Sequence, residues 1–478
     1  MITLLMNPAK SLKMFGMAVV GTAAAFLAWQ LFIPPIVGLA DQGDFARIIG
    51  RFGYGPEDKS PTNQYSFVVR KYIPDPGFRI RQSEQVNSEY LFVGSALLLN
   101  KLLSVDGKFD ITLMGLVHML VFLTVFARLL AATVNLRAAP VLWVAALIVL
   151  TDVGYAAYWN SFYAEPASCI FFLLLLTESL AICREAQVTH WQVARWCLWA
   201  ALLIMAKAQN APLGLLLALF PLRFGPRTAA AAGSAVIILA TAVNFMTNPV
   251  PSQWANTYNQ LFLGILPESD TRVSDLKEFG LGPEFARYSG TGAWSPGTAF
   301  PEMVTSGKIG RQITPASIAR FYLFHPGRVW RRARSVLPIA FSLRPEWCGN
   351  FERSAGRKAG ARSTAFSLWS GFREQYLAKA GAALFAAMLI CLTLLTAAWI
   401  RFPAERLRLE FLGLLSVGCL AAFVVAICGE AWDTVKHLFL FNLMLDTWLT
   451  AVAVAVWSTV LQWVIGRSRA PRADAGVL

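Results

Sequence analysis

Residues 14–38 read MFGMAVVGTAAAFLAWQLFIPPIVG. The run carries no charge, shows no alternation of polar and apolar positions, and closes on Pro34-Pro35. An apolar stretch of about 20 residues is long enough to cross the hydrocarbon core of a bilayer as a helix. Inside lipid a helix satisfies its own backbone donors and acceptors. Lys10 and Lys13 precede the run, as they would in a secretory signal. Its length and the lack of a small-residue cleavage site make it a retained first span instead.

The rest of the chain repeats that pattern. Of 478 residues, 56% are hydrophobic and only 15% charged, which excludes an ordinary soluble domain. The expected fold class is an all-α polytopic membrane protein. Ten spans are expected, at 14–38, 110–133, 140–158, 165–183, 192–207, 211–224, 229–247, 381–400, 408–428 and 437–465. The net charge is +14. Its Lys and Arg lie mostly in short caps between apolar runs, where they set orientation and meet anionic lipid. No nucleic-acid partner is expected. The seven Cys lie mostly in or beside apolar runs and show no zinc spacing.

The short caps collect Lys10, Lys13, Arg128, Arg137, Arg184, Arg195, Arg223, Arg227, Arg401, Arg406, Arg408, Arg467, Arg469 and Arg472 on one side. The positive-inside rule puts that side, with both termini, in the cytoplasm. Two long segments, 39–109 and 248–380, then lie on the outer side. The chain divides into an N-terminal transmembrane module (1–247), a large outer loop (248–380) expected to be helical, and C-terminal transmembrane helices (381–478). Within the first loop, 88–104 reads as a helix lying along the membrane surface. No internal repeat is evident, which disfavours a secondary transporter.

Four outer constellations can carry chemistry. Asp41 and Asp44, in DQGDFAR at 41–47, place two acids three residues apart at a membrane exit. Either can serve as general base toward a hydroxyl, and either can instead cap the helix that holds Arg47. In TDVGYAAYWNSFYAEPAS at 151–168, Glu165 opens a helix ahead of Pro166, and acids at membrane depth are usually functional. Asn160 and Tyr163 there offer hydrogen-bonding and stacking surfaces for a sugar. Lys207 and Gln209 form a polar turn between two apolar helices. Lys207 can bind a lipid phosphate or simply snorkel. Lys436 and His437 open the last span, at an end where the helix dipole does not favour cations. They call for an anionic partner, either a phosphate or a buried Glu430 or Asp433. Asn442 and Asp446, inside that span, need a partner too. His118, Glu178 and Asn244 read as helix-packing contacts.

At these positions the chain resembles the GT-C superfamily of membrane glycosyltransferases. A nearer resemblance is to bacterial glycan-biosynthesis hexose transferases of the WsfD type. It is carried by DQGDFARI (41–48), YNQLFLGILPESD (258–270), DLKEFGLGPEFARYSGTGAW (275–294), FYLFHPGRVW (321–330) and DTVKHLFLFNLMLD (433–446). The resemblance implies a GT-C-like bundle in the bacterial inner membrane with a periplasmic active site. A sugar would pass from a polyprenyl-phosphate donor to a glycan or lipid acceptor, with inversion. Asp44 would be the base and Glu165 a second acid. Arg47, Asn160, Tyr163, Lys207, Gln209, Lys436 and His437 would bind substrate and phosphate. Asp41 would hold the acceptor or, with Asp44, a divalent cation. Many GT-C members have adjacent acids, whereas Gln42 and Gly43 separate these two, so which of them takes the proton stays open. The competing readings are a flippase of lipid-linked saccharide and a non-catalytic envelope scaffold.

Overall fold

The computed structural model describes residues 8–78, 85–104 and 106–469, with 8, 9 and 460–469 described by backbone alone. Arg472 therefore lies outside the described residues, and the side chains of Arg467 and Arg469 are not part of the description. The chain folds as an all-α polytopic membrane protein. Its principal helices are α1 (Pro8–Phe32), α2 (Phe45–Ile48), α3 (Tyr90–Leu103), α4 (Thr112–Thr133), α5 (Ala139–Leu150), α6 (Glu165–Ile182), α7 (His190–Ala206), α8 (Leu213–Leu219), α9 (Arg227–Thr247), α10 (Ala378–Arg401), α11 (Arg406–Gly429), α12 (Thr434–His437) and α13 (Phe439–Arg469). Seven of the described helices are long and apolar enough to cross a membrane: α1, α4, α6, α9, α10, α11 and α13.

The other three expected spans are shorter helices. The stretch 140–158 breaks after Leu150 because the side chain of Asp152 accepts from Gly154 N at 2.7 Å and starts a new turn. Helix α7 has 17 residues, opened by a capping box in which Thr189 and Gln192 bond reciprocally. Helix α8 has seven residues.

The first long segment holds a small sheet that strand-length patterning does not reveal. Strands β1 (Tyr54–Pro56), β2 (Lys71–Pro74) and β3 (Phe109–Asp110) pair antiparallel in that order. Helix α3 packs Phe92, Val93 and Ala96 inward and leaves Leu91, Leu98, Leu102 and Leu103 exposed. Such an apolar outer face suits contact with lipid.

Two cores result. The main one runs through the bundle and takes in Val336, Phe341, Leu343 and Cys348 from the second long segment. A separate cluster around Tyr258, Phe262, Leu276, Phe285 and Phe321 builds the middle of that segment. Arg373 locks the segment to the bundle. It is fully buried, pairs with Asp446 and Asn442 of α13, and donates through Nε to Phe341 O at 2.9 Å. Tyr155 and Trp369 also donate to Asp446, at 2.6 and 2.7 Å. The acid inside the last span is thus fully partnered, as a buried charge must be.

Candidate functional site

Asp41 builds the turn that presents Asp44. One oxygen of Asp41 accepts from the amides of Gly43 (2.7 Å) and Phe45 (3.1 Å), and the other from Gln64 Nε2 at 2.9 Å. Gly43 takes φ +95°, a conformation that side chains with a Cβ rarely adopt. Asp44 makes no capping bond to α2. Its carboxylate turns instead to Lys436 Nζ, and Arg47 Nη2 lies 3.3 Å away.

Lys436 sits on α12 and reaches three elements. Besides Asp44, its ammonium meets Asp433 at 2.7 Å and Gln42 Oε1 at 3.4 Å, and it stands 5.0 Å over the ring of Tyr163. Tyr163 holds the first loop in place: its hydroxyl donates to Ala40 O at 2.8 Å and accepts from Gln42 N at 2.9 Å. Asp433, rather than Glu430, is the carboxylate that the last turn itself supplies to Lys436. Burial would raise the Asp44 carboxyl, but the charges of Lys436 and Arg47 outweigh it and hold the group well below the usual carboxylate range. Burial would likewise lower Lys436, and the carboxylates of Asp433 and Asp44 outweigh it in turn, holding the ammonium charged.

A second ion pair lies alongside. Lys207 Nζ meets Glu165 at 2.6 Å, at the first turn of α6, where a negative charge also suits the helix dipole. Lys207 acts electrostatically on Asp44, Asp433 and His437, and Glu165 acts on Lys436. Burial lowers the half-buried His437, the charges of Lys207 and Lys436 lower it further, and it is neutral near pH 7. Its Nδ1 is covered and has no partner among the described residues, and the same holds for both amide atoms of Gln209 and Nε of Arg47. Buried polar atoms without partners are rare. These four leave donors and acceptors near the ion pairs open to a polar ligand.

Asn160 stands apart from the ion pairs. It is fully buried, and its amide donates to the carbonyls of Leu31 (2.9 Å) and Val37 (2.8 Å). It ties the end of α1 to the loop before α6. Asn244 donates to Lys207 O at 3.2 Å and Glu178 pairs with Arg195 at 2.8 Å, both contacts between helices. Sequence reasoning missed the supporting partner of Glu165's helix. Glu89, fully buried, accepts from Ala167 N at 3.1 Å and sits 2.7 Å from His118 Nε2, whose Nδ1 meets Trp159 O at 2.9 Å. A glutamate and a histidine 29 positions apart give no spacing signal, so only the fold joins them.

The residues present do not fit a divalent cation. Both oxygens of Asp41 face N–H donors, and the ammonium of Lys436 occupies the space between Asp44 and Asp433. No group of three or more His, Cys, Asp or Glu among the described residues could hold a metal ion.

Glu430 gives the site's surroundings a pH dependence. Burial pushes its carboxyl from 4.5 up to about 7, although the amides of Trp432 and Ala431 oppose the rise by donating to it. The folded chain therefore holds this proton more tightly than the unfolded chain does. The stabilisation is complete below about pH 4.5 and is lost as pH rises through about 7, an effect of about 3 kcal/mol. Glu430→Gln should flatten the fall in thermal midpoint between pH 5 and 8 in detergent. An unchanged profile would remove Glu430 as its source.

A family model, the YfdI N-terminal transmembrane domain, matches residues 6–470. The chain belongs to that family. No curated protein matches it. Among solved structures, the chain is similar to an archaeal oligosaccharyltransferase, AglB from Archaeoglobus fulgidus, determined with an inhibitory peptide and a dolichol-phosphate. The TM-score is 0.41 at 12% identity, over 98% of this chain and 53% of that one. The apo form of the Archaeoglobus fulgidus oligosaccharyltransferase gives a TM-score of 0.40 at 13% identity, over 94% of this chain and 52% of that one. The YfdI-family chain thus spans about half the length of either enzyme.

Proposed function

We propose that this protein is a membrane glycosyltransferase that moves a hexose from a polyprenyl-phosphate donor to a glycan or lipid acceptor on the periplasmic face of the bacterial inner membrane. The observation that carries the reading is the pairing of Asp44 with Lys436 beside Glu165 and Lys207. Four separate segments supply these two acids and two cations, amid polar atoms that lack partners. The motif resemblance supports a hexose, and the positively charged caps support the orientation.

The pairing has a chemical consequence. A carboxylate clamped by Lys436 and Arg47 is a weak base. A donor phosphate arriving at Lys436 and Lys207 competes for those cations and frees Asp44. Asp44 then takes the proton of the acceptor hydroxyl, whose oxygen bonds to the anomeric carbon as the bond to the phosphate oxygen breaks. The electron pair of that bond leaves with the lipid phosphate, whose charge the two lysines neutralise. Attack opposite the leaving group inverts the anomeric centre. Glu165 keeps Lys207 aimed at the phosphate.

The bundle also suits a lipid substrate. An apolar cavity of about 650 Å³ within the bundle is lined by Leu203, Leu213, Gly418, Met444, Arg184 and Arg408, and none of the four ion-pair residues lines it. It can take a long hydrocarbon chain. The test is reconstitution of the purified chain in vesicles with a radiolabelled polyprenyl-phosphate hexose and envelope glycolipid extract. Label should pass to the glycolipid with release of polyprenyl phosphate. Lipid movement between leaflets without any transfer would overturn the reading in favour of a flippase.

A further inference from the structure

The stretch DLKEFGLGPEFARYSGTGAW at 275–294 takes no part in the ion-pair cluster, yet its end reaches the cluster's flank. The indole of Trp294 stands 6.1 Å from that of Trp432, inclined at 56°. Trp432 precedes Asp433, which grips Lys436. Both indoles are uncovered by protein, Trp294 exposed at 61% and Trp432 at 43%. Exposing two such large apolar rings side by side costs solvation unless something covers them.

The backbone on each side is fixed by buried acceptors. Glu430 takes the amides of Ala431 (2.8 Å) and Trp432 (2.7 Å). Asn259, fully buried, takes the amide of Ala293 at 2.7 Å. Gly292 has no room for a side chain because the Trp432 ring lies against it: a Cβ there would fall 2.3 Å from two ring carbons. The Cε3–Cζ3 edge of Trp432 thus rests against a glycine while part of the ring stays exposed. Rings held on pinned backbone lose little freedom when they bind.

We propose that Trp294 and Trp432 form a stacking platform for a sugar ring of a saccharide acceptor, beside the Asp44–Lys436 pair. A hexose presents an apolar C–H face to an aromatic ring and keeps its hydroxyls at the rim, and the inclined pair offers two such surfaces. Trp432 stands between Glu430 and Asp433, two buried acids that disfavour an anionic lipid headgroup on its ring and leave the neutral face of a sugar as the better fit. The inference rests on the glycosyltransferase reading for the acceptor's role, but binding can be measured without transfer.

The experiment uses the full chain in nanodiscs, carrying Asp44→Asn so that nothing turns over, on an array of defined bacterial surface oligosaccharides. At least one should bind. Trp294→Ala should weaken it tenfold or more, and Trp294→Phe should retain most of the binding. Gly292→Ala, which keeps both indoles but displaces one, should weaken it as well. No bound oligosaccharide, or binding indifferent to Trp294→Ala, would overturn the platform. So would quenching by brominated lipid that disappears in Trp294→Phe, since that places the indole in the bilayer. Binding here together with no transfer by the chain that keeps Asp44 would instead count against the proposed reaction alone.

Discussion

Asp44→Asn should reduce sugar transfer by about a thousandfold or more while leaving expression and insertion close to wild type, with only a modest fall in thermal midpoint from the lost charge on Lys436 and Arg47. General-base catalysis contributes roughly 10²–10⁴ in rate, and an amide cannot take the acceptor's proton. The amide oxygen can still accept from Lys436, and Lys436 keeps Asp433 at 2.7 Å, so the ammonium stays paired. Asp44 is 25% exposed, and its loss buries no new charge. Asp41→Asn should behave in the opposite way. It would place an NH₂ among N–H donors that now converge on Asp41 and would loosen the turn itself. Transfer assays on the two variants, paired with melting curves, separate the roles. Wild-type turnover by Asp44→Asn would sink the assignment of Asp44 as base.

That contrast was not readable from DQGDFAR alone. Two acids flanking Gln-Gly fit either a base or a cap, and what distinguishes them is their partners, Gln64 for Asp41 and Lys436 for Asp44, which lie elsewhere in the sequence. The long spans were legible because lipid imposes a single solution on an apolar run of that length. The broken ones were not. Hydropathy registers the apolar content of 140–158 but not the turn that Asp152 starts within it. Strands of two to four residues carry too little alternation to be seen. For α13, the sequence shows that Asn442 and Asp446 need a partner, because unpaired acids are costly in a membrane. It does not show that Arg373 is that partner, since one arginine in the basic stretch from 328 to 373 looks like another. Charge that must be compensated is visible in sequence, whereas the compensating residue belongs to the fold.

Lys436→Ala should cost both activity and stability, and the stability loss should deepen as pH rises. Lys436 is 5% exposed and lies between Asp44 and Asp433. Removing one partner of a buried ion pair leaves an uncompensated charge and costs about 3–5 kcal/mol. Here two carboxylates are left facing each other. Each then holds its proton more tightly in the folded chain than in the unfolded one, where a carboxyl of this kind titrates near 3.8. Their contribution is favourable while protonated and is lost as pH rises through the raised folded values. The variant should therefore approach wild-type stability near pH 4–5 and fall furthest behind above pH 7. A melting series in detergent across pH 4.5–8.5 measures this. Adding Asp433→Asn to Lys436→Ala should recover much of the loss, because it removes one of the two facing charges. Transfer should not recover, because the cation that receives the leaving phosphate is still missing. A double variant that regained turnover would show that Lys436 serves only to hold the fold.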